Sequence, residues 1–226
     1  MVLRALTFAI TLACLGASAF AAPPASVRAG GVIRGRVEVR RPLTLAEGRP
    51  SVAELGAHVP REVQDRSRSV VYLEMAPQAA FDTPAPVRAV LDQRNETFVP
   101  YVLAVTVGST VDFPNSDSTY HNVFSLSRPR RFDLGRYPRG QSRSVRFDKP
   151  GVVRVFCEIH SQMNAWILVF AHRYFATTDA EGRYRIGGIP PGSYKLAVWN
   201  DGSVRARREL LIAAGSEAVQ ADFVVE

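Results

Sequence analysis

Four side chains that can bind a soft metal ion lie in two short segments of the chain. Cys157, His160 and Met163 follow one another at intervals of three residues, and His121 lies upstream with Asn122 beside it. Thiolate, imidazole and thioether suit copper in both oxidation states, and two His, one Cys and a weak Met form an electron-transfer copper site. Zinc would accept the thiolate and the imidazoles but would gain little from the thioether. These residue types therefore favour copper and one-electron chemistry.

Each of these residues, taken singly, also has an ordinary structural interpretation. A buried cysteine is usually a small apolar core residue, a methionine after a strand usually fills space, and a lone histidine usually lies in a loop. The chain has only four His, three Met and two Cys, so their grouping within residues 157–163 is not expected by chance. His58 and His172 lack such a setting and are interpreted as structural, and Met75 is predicted to lie in the core.

The first 21 residues have the pattern of a secretory signal peptide. Arg4 supplies the positive start, residues 5–15 are apolar, and residues 19–21 offer a small-x-small cleavage site. Lipid anchoring at Cys14 is the disfavoured alternative. The protein is therefore expected in the periplasm or outside the cell, where a lone thiol is easily oxidised unless a metal occupies it.

The composition excludes several classes of protein. Of the 226 residues, 46% are hydrophobic, which excludes wholesale disorder, and two cysteines cannot form a disulfide framework. No apolar run is long enough for a transmembrane helix. The sequence has no phosphate-binding loop, nucleophile elbow or zinc-type cysteine pair. One-electron transfer at a metal needs no general acid, base or nucleophile, so the protein is not expected to be an enzyme.

The elements that must position the four donors are predicted to be strands. Residues 33–40 alternate apolar and polar side chains with the period of a half-buried strand. Residues 42–68 are predicted to form a long polar loop with a short helix near 51–55. Further short strands, separated by Gly, Pro and Asn signals, indicate an all-β sandwich architecture; they are expected at 70–75, 99–107, 110–113, 144–147, 152–156, 166–170, 183–186, 193–199 and 219–225.

The middle of the chain resembles the cupredoxin family, in particular plastocyanin and amicyanin. The resemblance covers residues 86–171 and rests on the segments His121-Asn122-Val123-Phe124-Ser125 and Cys157-x-x-His160-x-x-Met163, on Phe98-Val99-Pro100, on residues 107–117 and on Pro150-Gly151. It implies a Greek-key β-sandwich with one type 1 copper. It also implies that His121, Cys157 and His160 are equatorial ligands, that Met163 is the weak axial ligand, and that Asn122 braces the ligand loops.

The two flanks of the chain resemble a different family. Residues 30–78 and 173–226, with their Asp-x-x-Gly and Pro-Pro-Gly turns, are similar to the transthyretin-like, carboxypeptidase regulatory-like β-sandwich. We therefore predict that the cupredoxin domain is inserted in, or joined to, this second sandwich. Bacterial proteins that the combined layout resembles are labelled methylamine utilisation proteins.

A cluster of arginines separates the two ligand segments. The net charge of +7 comes from 28 Lys and Arg against 21 Asp and Glu. Such a cluster either solvates exposed strands or forms a docking surface for an acidic redox partner, which would raise the encounter rate. Nucleic acid is a weaker interpretation because aromatic residues do not interleave the charges. The cluster consists of Arg128, Arg130, Arg131, Arg136, Arg139, Arg143 and Arg146.

These patterns predict a periplasmic one-electron carrier, and the family resemblance places its electron port at the His160 edge. Two alternatives stay open at this point. The flanking sandwich could bind a carbohydrate or a protein, with copper in a secondary role. Trp199 and Tyr194 could then stack on a sugar, although packing in the core or at an edge is the favoured interpretation of both residues. The protein could instead store or deliver copper.

Overall fold

The computed structural model describes residues 30–40, 65–75, 77, 85–215 and 218–226. This part of the chain is all-β and contains strands, turns and loops but no helix. It therefore has no helix that could cross a membrane. The strands are β1 (Gly31–Val39), β2 (Val70–Leu73), β3 (Arg88–Val90), β4 (Asp92–Arg94), β5 (Thr97–Val99), β6 (Val102–Thr106), β7 (Thr110–Pro114), β8 (His121–Ser125), β9 (Phe132–Tyr137), β10 (Ser142–Arg146), β11 (Gly151–Phe156), β12 (Asn164–Phe170), β13 (Phe175–Thr177), β14 (Arg183–Ile189), β15 (Gly192–Asn200), β16 (Ser203–Ile212), β17 (Val219–Gln220) and β18 (Phe223–Val225).

The two flanks of the chain share their sheets. Strand β1 pairs antiparallel with β14 and parallel with β17 and β18. The second sheet has the order β13-β2-β15-β16. Because β1 and β2 precede the middle block while all their partners follow it, the chain leaves this sandwich after β2 and returns to it at β13. We call this unit the flanking sandwich.

The middle block, strands β3 to β12, forms the second sandwich. Its larger sheet has the order β6-β12-β11-β8-β9, and its smaller sheet has the order β10-β7-β3. Strands β4 and β5 form a separate hairpin. Inward-facing residues of the two sheets make one buried cluster that includes Val111, Phe113, Val153 and Ile167. Each such side chain contributes about 1.5–3 kcal/mol of burial free energy, so these strands form a firm frame for the loops at their ends.

A separate buried cluster joins the two sandwiches. Val70 and Trp199 of the flanking sandwich pack with Val102 and Leu168 of the middle one. The tip of the β15–β16 hairpin adds a polar contact, since the hydroxyl of Tyr101 donates to Oδ1 of Asp201 at 2.5 Å. The two units therefore contact each other through an apolar interface with a hydrogen bond at its edge.

Several expectations about single elements are wrong. Met75 is 80% exposed rather than in the core, because β2 ends at Leu73 and the side chain leaves the sheet. The strand predicted at 99–107 is divided at Pro100, which has no amide hydrogen for pairing. The strand predicted at 219–225 is divided where the carbonyl of Ala221 lies against Gly35. The signal peptide, the helix near 51–55, His58 and the polar loop before residue 65 lie outside the described residues.

Candidate metal centre

Three strands of the larger middle sheet bring the two ligand segments together. His121 is the first residue of β8, and Cys157 directly follows β11. Strands β8 and β11 are antiparallel, with Phe156 opposite Phe124, so the residues that follow β11 run beside the start of β8. The chain then turns through residues 157–163 and enters β12, which pairs with β11. The strand register therefore determines that the thiol and both imidazoles meet at one end of the sandwich.

The three donor atoms lie close enough to share one ion. Sγ of Cys157 is 3.8 Å from Nδ1 of His121 and 4.0 Å from Nδ1 of His160, and the two Nδ1 atoms are 3.1 Å apart. Donors bound at about 2.0–2.3 Å to one ion are themselves separated by about 3.3–4 Å. His121 is fully buried and Cys157 is 4% exposed. The geometry and the soft donor set both fit a copper ion.

The loop between Cys157 and Met163 is closed by backbone hydrogen bonds. The amide of Cys157 donates to the carbonyl of Met163 at 3.2 Å, and the amide of Met163 donates to the carbonyl of His160 at 2.9 Å. Met163 is fully buried, in the same core cluster as Cys157. The backbone hydrogen bonds make the ligand loop compact. The role of Met163 as axial ligand stays a prediction.

Asn122 joins the two ligand segments. Its side chain is buried, and its Oδ1 accepts a hydrogen bond of 2.7 Å from the amide of Glu158. Asn122 directly follows one candidate ligand and Glu158 directly follows another, so this bond couples the position of His121 to that of Cys157. Such an outer contact orients the residues that bind a metal.

The site favours the thiolate form of the cysteine. Burial raises the pKa of the Cys157 thiol, but hydrogen bonds from His121 and from the amides of Asn122, His160 and Ile159 outweigh burial and lower the pKa to about 6. Thiolate is the form that binds metal ions. Burial works against protonation of His121, but the thiolate and a neighbouring carboxylate outweigh it and raise the pKa of His121.

Two carboxylates near the histidines were not among the residues predicted from sequence. Oδ2 of Asp117 lies 2.7 Å from Nε2 of His121, and Oε1 of Glu96 lies 3.7 Å from Nε2 of His160. Asp117 precedes His121 by four residues, a spacing that could have suggested the contact. Glu96 gives no such signal, because it reaches the site from the β4–β5 turn.

The seven arginines of the predicted docking cluster are all exposed. Nε of Arg136 pairs with Glu158 at 2.7 Å, Nε of Arg146 pairs with Asp148 at 2.6 Å, and Arg143 lies over the ring of Tyr137. Among the described residues, no side chain pairs with the four remaining guanidinium groups, those of Arg128, Arg130, Arg131 and Arg139. Arg136, Arg139 and Arg143 lie at the end of the sandwich that holds the ligand loop, whereas Arg128, Arg130 and Arg131 precede β9 and lie at the other end.

The residues proposed to stack on a sugar are occupied by protein contacts. Trp199 is 3% exposed and lies edge-on to Trp166, with ring centroids 5.5 Å apart. The hydroxyl of Tyr194 donates to the carbonyl of Pro190. The favoured packing interpretation of Trp199 is confirmed, because the middle sandwich covers that ring and leaves no face for a sugar. His172 is buried beside Phe170, as its structural interpretation requires, and burial lowers its pKa.

Comparison with known proteins gives matches to both parts of the chain. The carboxypeptidase regulatory-like domain family matches residues 163–226. This match begins within the ligand loop and does not include β1 or β2, which lie on the other side of the middle block. No match was found among curated proteins.

Among solved structures, a copper-containing nitrite reductase from Thermus scotoductus is 28% identical, with a TM-score of 0.35 over 39% of this chain and 23% of its own. Amicyanin from Paracoccus versutus is 21% identical, with a TM-score of 0.34 over 44% of this chain and 97% of its own. The strand pairing, the His–Cys–His group and the family match describe a chain that combines a cupredoxin-like sandwich with a carboxypeptidase regulatory-like domain.

Proposed function

We propose that this protein is an exported one-electron carrier with a single type 1 copper. The observation that carries the proposal is the buried group of one thiol and two imidazoles, whose donor atoms lie within 4.8 Å of one another. In this proposal His121, Cys157 and His160 hold the copper in one plane and Met163 is its weak axial ligand. The copper supplies the redox couple, and the chain supplies the thiolate and a fixed frame.

The frame suits electron transfer because it limits reorganisation of the donors. The candidate ligands lie at the start of β8, directly after β11 and in the turn before β12, and Asn122 ties two of these segments together. Donors that do not move between oxidation states keep the exchange of one electron fast. The same rigidity speaks against a delivery role, which requires the metal to leave easily.

The decisive experiment is addition of Cu(II) to the metal-free protein, followed by its visible spectrum. We expect an intense thiolate-to-copper band that disappears in Cys157→Ser. Met163→Leu should keep the band and raise the reduction potential, whereas Met75→Leu, at the exposed methionine, should change neither. A wild-type protein without the band would refute the type 1 site. Rapid loss of copper to a chelator would favour storage or delivery.

We further propose that the arginine cluster docks an acidic redox partner. The supporting observation is the exposed guanidinium of Arg136, whose partner Glu158 adjoins Cys157, with Arg139 and Arg143 at the same end of the sandwich. Charge at a rim mainly accelerates association, and salt screens it. Replacement of Arg136, Arg139 and Arg143 by Ser should slow electron transfer to an acidic partner at low salt.

A control with the same charge change tests whether this effect depends on location. Arg34, Arg36 and Arg185 are exposed on β1 and β14 of the flanking sandwich. Their replacement by Ser should leave the rate near the wild-type value. Equal slowing in both triple variants would show that only the net charge matters, and an unchanged rate in the cluster variant would contradict docking.

The proposed location outside the cytoplasm rests on the pattern of residues 1–21. Expression of the full chain in a bacterium, followed by cell fractionation and determination of the N-terminus, tests it directly. We expect a periplasmic protein that begins near residue 22. A cytoplasmic protein that retains its first residues would contradict this proposal, and a lipid at Cys14 would favour the anchored alternative.

A further inference from the structure

His121 is held from both ends of its ring. Its Nδ1 lies toward Cys157 and His160, at 3.8 and 3.1 Å from their donor atoms. Its Nε2, on the other edge of the ring, lies 2.7 Å from Oδ2 of Asp117. The imidazole is completely buried and the Asp117 side chain is 12% exposed, so little water competes for this contact.

The carboxylate of Asp117 is itself fixed by the turn between β4 and β5. The amide of Asn95 donates to Oδ1 at 2.6 Å, and the amide of Glu96 donates to Oδ2 at 2.9 Å. The amide of Asp117 in turn donates to Oδ1 of Asn115 at 3.0 Å. Both oxygens of this carboxylate accept backbone amide hydrogens, so the side chain acts as a hydrogen-bond acceptor toward the ring. Nε2 of His121 therefore carries the hydrogen of this contact, and Nδ1 is the ring nitrogen that faces Cys157 and His160.

The turn adopts an unfavourable backbone conformation to make these contacts. Asn95 and Glu96 have φ angles of +52° and +54°, in the left-handed region that costs a non-glycine residue energy. Asn tolerates this region better than Glu does. Residues held in this way by their surroundings concentrate at functional sites. Here the conformation directs both backbone amides at the carboxylate of Asp117, and that carboxylate contacts the imidazole of His121.

The side chain of Glu96 extends from the same turn to the second histidine. Its Oε1 lies 3.7 Å from Nε2 of His160, and its Oε2 accepts a hydrogen bond from Nε2 of Gln162 at 3.2 Å. One hairpin turn thus reaches both candidate histidine ligands, the first through Asp117 and the second through Glu96. The first contact is short and buried, whereas the second is longer and partly exposed.

We infer that Asp117, fixed by the Asn95–Glu96 turn, is a positioning residue that holds His121 with its hydrogen on Nε2 and its Nδ1 directed at the metal. The ring is set in this way before any metal binds. A carboxylate partner also makes the imidazole a stronger electron-pair donor to a metal. Loss of such a partner typically weakens metal binding about 10–100-fold. This inference rests on the proposed copper site, but its first test does not require copper.

The test compares proton NMR spectra of the metal-free wild-type protein, Asp117→Ala and Glu96→Gly, in nitrogen-labelled form. In the wild type, the Nε2 hydrogen of His121 should give a downfield resonance that exchanges slowly with water. Asp117→Ala should lose this resonance. Glu96→Gly should keep it, because glycine accepts the left-handed conformation and retains the amide that Asp117 needs.

Cu(II) titration of the same proteins supplies the second readout. We expect the affinity of Asp117→Ala to fall about 10–100-fold below that of the wild-type protein. Asp117→Asn keeps an acceptor but removes the charge; a protected resonance with weakened copper binding in this variant would assign the electronic part of the effect to the carboxylate charge.

The outcomes separate this inference from the proposed function. A wild-type spectrum without the protected resonance, or an Asp117→Ala variant with unchanged copper affinity, would overturn the positioning role even if the thiolate-to-copper band is present. A protected resonance in a wild-type protein that binds no copper would overturn the proposed function instead. It would leave the hydrogen bond between His121 and Asp117 in place.

Discussion

At the scale of single residues, the thiol of Cys157 combines deep burial with easy ionisation. Burial in an apolar core raises the pKa of a thiol and makes it inert. Here hydrogen bonds from His121 and from backbone amides stabilise the thiolate. They outweigh the effect of burial and lower the pKa of Cys157 to about 6. The donors that create this environment are the candidate ligand His121 and the backbone of the ligand segments. The metal-binding form of the cysteine is therefore prepared by the fold.

This environment predicts the titration of the metal-free protein. Because the pKa is lowered, Cys157 should be thiolate above a pH of about 6 and thiol below it. The ultraviolet absorbance of the thiolate, followed against pH, should show a midpoint near that value and disappear in Cys157→Ser. A midpoint at the ordinary value of a free thiol, about 8.5, would show that the hydrogen bonds do not form in solution.

At the scale of elements, the β15–β16 hairpin is shaped by its contact with the middle sandwich. Its turn residue Gly202 has a φ of +95°, and a Cβ at this position would lie 3.1 Å from the ring of Trp166. That ring cannot easily move, because its Nε1 donates to Tyr101 and the guanidinium of Arg154 lies 4.9 Å from its centre. Glycine is thus required both by the turn and by the neighbouring ring.

The two requirements can be separated by a pair of variants. Gly140 has a φ of +81°, and a Cβ added there would meet no atom of the described residues within 4 Å, so Gly140→Ala changes the backbone energy alone. We expect Gly140→Ala to reduce the free energy of unfolding by about 1 kcal/mol and Gly202→Ala to reduce it by more. Urea unfolding measures both. Equal losses would show that Trp166 adjusts without cost.

At the scale of the whole molecule, Trp199 connects the two sandwiches. It lies in β15, where Leu196 and Val198 pack into the core of the flanking sandwich. Trp199 points to the other side and packs against Val102 and Leu168 of the middle one. Both faces of the second half of this strand are therefore buried, which explains why residues 196–199 are all apolar.

Removal of this ring should uncouple the two units. Large-to-small substitution of a buried aromatic residue costs about 3–5 kcal/mol, so Trp199→Ala should lower the thermal stability and split unfolding into two transitions by calorimetry. Leu211→Ala, at a residue 64% exposed on β16, serves as a control that should leave the single transition unchanged. A single transition at the wild-type temperature in Trp199→Ala would contradict a coupling role for the interface.

The sequence predicted the parts of this protein that depend on local chemistry. The donor types and the spacing of Cys157, His160 and Met163 are properties of a short segment, and so is the period-2 alternation that marks most strands. The exposure of side chains was less predictable. Met75 and Trp199 both lie at or just beyond the end of a strand, yet Met75 is exposed and Trp199 is buried. Their difference depends on whether a distant part of the chain covers them.

The amino-acid sequence by itself determined the donor set, the all-β character and the two family resemblances, because each depends on patterns of residues that are close together in the chain. Only the tertiary structure decided that Nδ1 of His121 lies 3.8 Å from a thiol 36 residues away, that Asp117 holds the far edge of that ring, and that Glu96 reaches His160. These contacts join residues on different strands and turns. They depend on strand pairing and register, which arise from packing of the whole chain and not from any one segment.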